Sequence, residues 1–410
     1  MHKVFRVCAG IDVHKKMLSV CLLSVDAGGE VAKEVRTFGT TTRQLLTLVD
    51  WFTHAGCESV AMESTGVYWK PVFNLVESVV KVVLVNAQHV KALPGRKTDV
   101  QDCEWLAELH LHGLVRASFI PPREIRELRD LVRTRTKLIA ERARHVNRIQ
   151  KVLEDANIKL GSVAADVLGV SGRLMLERLV AGETDAQALA ELARGRMRSK
   201  RGELREALEG RVRAHHRVLL KTHLQLIDSL DAAVGTLTDQ IEERMRPFVE
   251  IRDRLDRIPG IGPDVATVYI SEMGVDPSPW PSYGHAASWA GLCPGHHESA
   301  GKRKSGRTRK GNRWLKTAFV QAAWSAQRAN GTYLQAHFRR IRSHRGPKKA
   351  AVAVGHSLFV RCFQLVADGT EYFDLGGTYY DERRKERVAR RMVQRLQDLG
   401  YAVTLAPKAA

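Results

Sequence analysis

Apolar segments divide the first part of the chain into short elements. Residues 3–11, 18–24 and 30–38 are rich in Val, Leu, Ile or Phe, and polar or Gly-rich residues separate them. Short apolar runs bounded in this way predict three β-strands joined as an antiparallel meander. The next segment, 41–56, has the apolar spacing of a helix, with a Thr at its start and Gly56 at its end.

The following segments alternate between strand and helix. Residues 58–63 and 79–87 each predict a strand, and a turn with a helix lies between them. Thr98 and Gln101 form a capping-box pattern, so a further helix is expected to begin near Asp99. Three antiparallel strands followed by α-β-α-β-α is the order of elements in an RNase H-like fold. The sequence therefore predicts an α/β domain of this type at the N-terminus.

The middle of the chain, 121–248, follows a seven-residue repeat. Apolar residues recur at this interval in two stretches, Ile125, Val132, Ile139, Val146, Leu153 and Leu220, Ile227, Val234, Ile241. Heptads of this kind predict long helices that pack as a helical hairpin or a coiled coil. The first stretch is also rich in Arg and Lys, which indicates either a nucleic-acid surface or a solvated helix face.

The last third of the chain contains two glycine-bearing motifs. Residues 255–274 resemble a helix-hairpin-helix unit, in which the backbone at Gly260 and Gly262 could contact a phosphate. A simple tight turn between packed helices is the alternative. Residues 291–316 form a Gly-broken basic stretch that is expected to be a loop leading into a helix. This part is predicted to be mostly helical.

Charge narrows the class of partner. The formal net charge is +20 and the isoelectric point is about 9.9. A clustered basic excess of this size indicates a polyanion. No apolar run approaches the ~20 residues that span a bilayer, so nucleic acid is a better candidate than membrane headgroups. The six scattered cysteines contain no CxxC pair, which is typical of reduced thiols in a bacterial cytoplasm.

Four acidic residues lie at the ends of predicted elements: Asp12, Glu63, Asp99 and Asp102. Clustered carboxylates bind hard cations, so Mg²⁺ is the expected cofactor, with Mn²⁺ as an alternative. Such ions support phosphoryl transfer. Each acid also has an ordinary structural explanation, as a turn residue, a helix-dipole partner, a cap or a solvated side chain. Four acids at these places in a very basic chain favour the metal site.

Ser299 lies at the start of the basic stretch. From Ser299 to Lys316 there are eight Lys or Arg and no Asp or Glu. The predicted nucleic-acid contacts in this stretch are Lys302, Arg303, Lys304, Arg307, Arg309, Lys310 and Arg313. A serine hydroxyl is a weak nucleophile without activation. On residue chemistry alone, Ser299 is expected to bind a phosphate rather than to attack one, and Ser305 has the same standing.

Five motifs, in this order, resemble those of the DEDD transposases of bacterial insertion sequences. They are "GIDVHK", "MESTGVYW", "KTDVQD", "IPGIGPDVA" and "GLCPGHHESAGKR…RKGNRWLK". The family is that of insertion sequence 110, which also includes Piv-type DNA invertases, and the resemblance extends over nearly the whole chain.

The resemblance implies an N-terminal RuvC-like domain, a coiled coil and a C-terminal transposase domain. The family's four acids match Asp12, Glu63, Asp99 and Asp102, and its serine nucleophile matches Ser299. Ala300 stands where a Gly is common in the family. The implied activity is DNA recombination through a covalent phosphoserine, guided by a structured bridge RNA that pairs with donor and target DNA.

The expected organisation is a DEDD domain over 1–120, a helical region over 121–248, a serine-bearing domain over 249–345 and a helical extension over 346–410. A homo-oligomer, dimer or tetramer, is expected because recombination holds several DNA ends together. Two other functions fit the residues. One is a metal-dependent, RuvC-like nuclease without a covalent intermediate, and the other is a non-catalytic nucleic-acid-binding protein.

Overall fold

The structure is a computed structural model that describes residues 2–64, 66–85, 99–295 and 297–406. The side chains of 99–101, 297 and 303 lie outside this description. Two compact units make up the chain, Met1–Ile120 and Pro121–Ala410.

The first unit is built on a five-stranded mixed sheet in the order β3-β2-β1-β4-β5. The strands are β1 Val7–Val13, β2 Met17–Val25, β3 Val31–Gly39, β4 Ser59–Glu63 and β5 Lys81–Val85. The first three strands are antiparallel, whereas β4 pairs parallel to β1 and β5 parallel to β4. This order and these directions confirm the predicted RNase H-like arrangement.

Helices cover both faces of this sheet. They are α1 Thr42–His54, α2 Trp69–Val76 and α3 Asp99–Leu111. Residues such as Ile11 and Met62 share a core with α1 and α2. On the opposite face, Cys8 of β1 packs with Cys103 and Ala107 of α3. Because side chains alternate along a strand, odd- and even-numbered residues of β1 face different helices.

The second unit contains two long helices, α4 Arg123–Asp155 and α9 Ala214–Met245. They run antiparallel, because Arg244 bonds Glu127 at one end (2.7 Å) and His216 bonds Asp155 at the other (2.8 Å). The predicted helical hairpin is thus confirmed, while a supercoiled seam remains a prediction.

The heptad positions of the hairpin are unequally buried. Val132, Leu153, Leu220, Ile227 and Ile241 are all buried within this chain. In the middle of the hairpin the seam opens: Ile139 is 47% exposed and Val234 is half-buried.

A small helical insert connects the far ends of the two long helices. Its helices are α5 Leu160–Val163, α6 Val170–Ala181, α7 Ala186–Glu191 and α8 Arg201–Leu208. Leu176, Leu189 and Leu204 pack there with Leu153 of α4 and Leu220 of α9. The insert is thus helical, as expected for this part of the region 121–248.

The remaining helices surround an aromatic core. They are α10 Val249–Asp256, α11 Pro263–Met273, α12 Tyr283–Trp289, α13 Arg313–Ala326, α14 Tyr333–Arg345, α15 Pro347–Asp368, α16 Tyr379–Glu382 and α17 Lys385–Asp398. Tyr269, Phe319 and Phe359 contact one another with ring centroids 5.3–6.2 Å apart. The near ends of the hairpin, including Val132 and Ile241, belong to this core.

Within the described residues, α15 has the length and apolar composition of a membrane-crossing helix. Half of its most apolar window is buried inside the protein. Ala350, Val354, Leu358 and Phe359 all lie in the core described above. The helix is therefore accounted for as a core helix, and its composition is weak support for a membrane span.

Several sequence predictions are corrected in detail. The first strand begins at Val7 rather than residue 3 and continues to Val13, so Asp12 lies inside the strand and not after it. The basic stretch is not a simple loop, because it contains strands β6 His297–Ser299 and β7 Lys302–Ser305. Thr98 of the predicted capping box lies outside the described residues, although α3 begins at Asp99 as expected.

Candidate functional site

Asp12 and Glu63 lie on two neighbouring parallel strands, just past the point where the pairing between these strands stops. The last paired residues of β1 and β4 are Ile11 and Met62, so Asp12 and Glu63 are the next residue on each strand. Ile11 and Met62 face α1 and α2. By alternation, Asp12 and Glu63 belong to the face that α3 covers.

Gly10 lets α3 approach this face closely. A Cβ at Gly10 would lie 2.4 Å from the Cys103 carbonyl oxygen and 2.5 Å from the Ala107 nitrogen. Only glycine leaves room for helix backbone at that distance. Asp102 precedes Cys103 and is half-buried, and Asp99 begins the same helix.

Asp12 is buried beside a histidine and a cysteine. Asp12 is only 9% exposed, and one of its oxygens lies 2.9 Å from His14 Nε2. Burial raises the pKa of the nearby Cys103 thiol to about 11, and the carboxylates of Glu104 and Asp12 add to the rise. The Cys103 thiol is therefore neutral. The carboxylate oxygens of the four acids fit a hard cation better than a soft one.

Ser299 lies at a β-hairpin turn. It ends β6 and pairs with Lys302 of β7 across Ala300 and Gly301. These two turn residues have φ of 50° and 70°, as in a type I′ turn. Ala300, the departure from the family pattern, thus adopts a left-handed conformation that glycine tolerates better. Ser299 is exposed, and its hydroxyl makes no hydrogen bond within the part of the chain whose side chains are described.

The basic side chains around this hairpin are exposed. Lys302, Lys304, Arg307, Arg309, Lys310 and Arg313 all face solvent. None of these six forms an ion pair with another described residue, and Arg313 lies over the Trp314 ring at 4.5 Å. Arg303 has an undescribed side chain. Unpaired exposed cations are available for phosphates, whereas Ser305 already accepts a hydrogen bond from the Arg307 N–H at 3.2 Å.

The two glycines of the predicted helix-hairpin-helix unit differ. Gly260 has φ of +95°, and a Cβ there would lie 2.5 Å from the Ala322 carbonyl oxygen. Close packing against α13 therefore accounts for Gly260. Gly262 precedes the first turn of α11 with open space around it. Helices α10 and α11 do flank this turn, and a phosphate-binding role stays a prediction.

Two polar clusters were missed in the sequence. Glu272 of α11 is fully buried, and its signal was an acid in a largely apolar helix. Asp155, His215 and His216 place three potential metal ligands within 4.8 Å of one another. His216 uses Nδ1 to accept from the Arg213 N–H and Nε2 to bond Asp155, so it ties α4 to α9. Its hydrogen bond also holds the pKa of Asp155 below the usual range.

Two family models match the chain. Residues 9–158 match a DEDD model described as "Transposase", and residues 252–339 match the "Transposase IS116/IS110/IS902 family". Together the matches cover more than half of the chain. The chain belongs to this family of DEDD transposases, as the motifs indicated.

Two curated proteins are similar in sequence. "Insertion element IS116 uncharacterized 44.8 kDa protein" of Streptomyces clavuligerus is 26% identical over 364 residues, which cover 80% of this chain and 86% of that protein. "Putative transposase y4pF/y4sB" of Sinorhizobium fredii is 29% identical over 159 residues, or 38% of this chain. The match spans 41% of that relative's length.

Two solved structures resemble part of the chain. "Thermus thermophilus RuvC structure" is 14% identical and covers 27% of this chain and 99% of that one, with a TM-score of 0.22. "T. thermophilus RuvC in complex with Holliday junction substrate" is 13% identical with the same coverage and a TM-score of 0.20. The fold of the first unit is established here by its strand order.

Proposed function

We propose that this chain is a DNA recombinase that cuts and rejoins DNA through a covalent link to Ser299, using a divalent cation held by Asp12, Glu63, Asp99 and Asp102. The observation that carries the proposal is the acid edge of the first unit. There, Asp12 and Glu63 lie on adjacent parallel strands, one residue past the last pair between them, on the face covered by the helix that carries the other two acids.

Ser299 would act as the nucleophile in this reaction. Its Oγ would form a bond to phosphorus as the bond from phosphorus to a sugar oxygen breaks. The hydroxyl proton would pass to a carboxylate of the acid set, in the same chain or in another, and the leaving oxygen would take up a proton. Rejoining reverses these steps with a different sugar hydroxyl. A bound Mg²⁺ or Mn²⁺ would stabilise charge on the phosphate as a Lewis acid.

The exposed cations of the hairpin would hold the nucleic acid. Their charge would offset that of the scissile phosphate, and most of it would act without regard to sequence. A net charge of +20 exceeds the demand of one duplex footprint, which supports a second polyanion, the bridge RNA. A location in the bacterial cytoplasm, expected from the scattered cysteines, is part of this proposal.

Assembly into a dimer or tetramer is part of the proposal. The central hairpin leaves Ile139 exposed and Val234 half-buried, which is consistent with an additional partner for the helices. Ile227 is buried within the chain, so a charge there would disturb folding as well as assembly. Val234→Asp therefore tests assembly better than a charge at Ile227 would. Analytical ultracentrifugation with DNA and RNA present is the measurement, and a wild-type complex with one protein chain would contradict the proposed oligomer.

The decisive experiment concerns Ser299. Incubating the wild-type chain with a suicide DNA substrate should give a covalent protein–DNA adduct on denaturing electrophoresis, with the link mapped to Ser299. Ser299→Ala should bind DNA normally but form no adduct, because one oxygen is lost and all charge is kept. Ser299→Cys should retain weak activity, since a thiolate is a competent nucleophile. Ser305→Ala is the matched control and should have little effect on adduct formation.

The outcomes separate the candidate functions. An adduct formed by Ser299→Ala would move the nucleophile elsewhere, with Ser305 next. Efficient cleavage by the wild type without any adduct would favour the metal-dependent nuclease, for which the acid edge alone is sufficient. Binding without metal-dependent cleavage would leave a non-catalytic nucleic-acid-binding protein.

A further inference from the structure

A buried carboxylate lies at the centre of the second unit. Glu272 of α11 is 0% exposed. Arg133 of α4 donates to both of its oxygens, at 2.6 and 2.7 Å. Arg129, one turn earlier on α4, lies 3.4 Å from one oxygen and donates to the backbone carbonyl of Glu272 at 2.7 Å. Two arginines of one helix therefore hold the acid of another.

Asn312 joins this cluster to the serine-bearing hairpin. Its Nδ2 donates to Glu272 at 2.6 Å. Its Oδ1 accepts from the N–H groups of Trp314 and Leu315, at 3.0 and 3.2 Å, and so caps α13. One side chain thus performs two separable tasks, capping a helix and linking the end of the basic stretch to a fixed carboxylate.

The segment before Asn312 is fastened to the segment before the hairpin. We call residues 291–295 and 307–312 the neck. The Gly295 N–H donates to the Arg307 carbonyl at 2.9 Å, and a Cβ at Gly311 would lie 2.4 Å from the Gly291 nitrogen. Beyond the neck, the described side chains of the hairpin are mostly exposed. The position of Ser299 within this unit therefore depends on where the neck is held.

We propose that the hydrogen bond from Asn312 to Glu272 positions the Ser299 hairpin against α4, so that Asn312 is a positioning residue for the reaction. The inference rests on the proposed function for Ser299. Glu272 remains in place without Asn312, because Arg133 still holds both of its oxygens. Loss of the link would remove the neck's side-chain bond to Glu272, while the backbone bond from the Asn312 N–H to the Trp289 carbonyl at 3.0 Å would remain. The neck would be held less firmly, and the rest of the cluster would stay intact.

The two tasks of Asn312 can be separated by substitution. Asn312→Ser keeps an N-cap hydroxyl but is too short to reach Glu272, whereas Asn312→Ala removes both functions. Thr332→Ala is the matched control, because Thr332 caps α14 through the Gln335 N–H at 3.2 Å, away from Glu272. All three variants are made in the full chain. The measurements are the rate of adduct formation on the suicide substrate, duplex affinity, and hydrogen exchange of neck peptides.

A positioning role predicts that Asn312→Ser and Asn312→Ala are equally slow. The adduct rate should fall by roughly 10- to 100-fold in both, since small misplacement of a reacting group is costly. Duplex affinity should change by less than about 2-fold, because none of the basic residues is altered. Exchange in the neck should rise in both variants, and Thr332→Ala should leave adduct rate and neck exchange unchanged.

A different pattern would overturn the proposal. If Asn312→Ser matches the wild type while Asn312→Ala is slow, Asn312 is only a helix cap. If neck exchange is unchanged in both, the link does not hold the neck. Absence of an adduct in the wild type would refute the phosphoserine function, while hydrogen exchange would still decide the positioning.

Discussion

The acid edge and the serine hairpin are built in opposite ways. Asp12 is 9% exposed and sits in a central strand under a closely packed helix. Ser299 is exposed at a two-residue turn. Under the proposed function, the acids would have to be set within a fraction of an ångström as metal ligands, whereas Ser299 would have to be reachable by DNA. The comparison therefore suggests a test: rigidity should come from the sheet for the acids and from the neck for the serine.

The electrostatic surroundings differ in the same way. His14 lies beside Asp12, Glu63 lies on the neighbouring strand, and α3 carries the other two acids. The cations of the hairpin are exposed and unpaired among the described residues. We therefore expect the loss of any one acid to abolish recombination. The loss of one cation should weaken nucleic-acid binding only in part, because the other cations remain.

The largest expected effect is that of Asp12→Asn. The change removes an anionic ligand and adds no negative charge, so recombination should fall by at least ~1000-fold, with several kcal/mol of stabilisation lost at the metal. Glu63→Gln and Asp102→Asn should behave alike. DNA binding should stay largely intact, and a strand-transfer assay in Mg²⁺ with a parallel gel-shift measures both.

Asp50→Asn is the control for this change, because Asp50 is an exposed acid of α1 in the same unit. It should recombine at the wild-type rate. Wild-type recombination by Asp12→Asn in Mg²⁺ would remove the acid edge from the mechanism.

The second prediction concerns how the stability of the protein depends on pH through a histidine near the acid edge. His110 of α3 bonds the Ser59 hydroxyl of β4 at 2.9 Å, which links two elements that carry the acids. Burial lowers the pKa of His110 from 6.5 to about 4. The neutral form is favoured in the folded state, so its contribution is fully present above pH 6.5 and is lost as pH falls towards 4. The shift corresponds to about 3 kcal/mol.

Urea unfolding of the full chain at pH 7 and pH 5 measures this effect. The wild type should lose more stability on acidification than His110→Gln, which keeps a hydrogen-bonding group that does not titrate. His54→Gln, at an exposed position of the same unit, should follow the wild type. Equal pH dependence of wild type and His110→Gln would show that His110 does not supply this sensitivity.

The smallest effect is expected for a single cation of the hairpin. Arg309→Ala should weaken duplex binding by roughly 3- to 10-fold, evenly across sequences, and reduce the salt slope by ~1. Titrations at several salt concentrations measure both. Arg144→Ala is the control, because Arg144 is already paired with Glu141 at 3.2 Å. A change of sequence preference with unaltered salt slope would contradict the phosphate role.

Local patterns were sufficient for most elements of the chain. Short apolar runs predicted the five strands, and heptads predicted α4 and α9. The ends were less predictable: Asp12 proved to lie within β1, because pairing with β2 continues to Val13. The basic stretch formed a hairpin because Ala300 and Gly301 adopt positive φ, a conformation for which Ala has no intrinsic preference.

By itself, the sequence determined the order of elements, the four acids, the basic stretch and the family, since each is a local pattern or a motif. Only the tertiary structure decided that α3 closes over Gly10 and that Glu272 binds Arg133 from 139 positions away. The sequence around Glu272 does not indicate how far along the chain its partner lies. Its partner is chosen by packing, because a buried charge is tolerated only where another charge is brought to meet it.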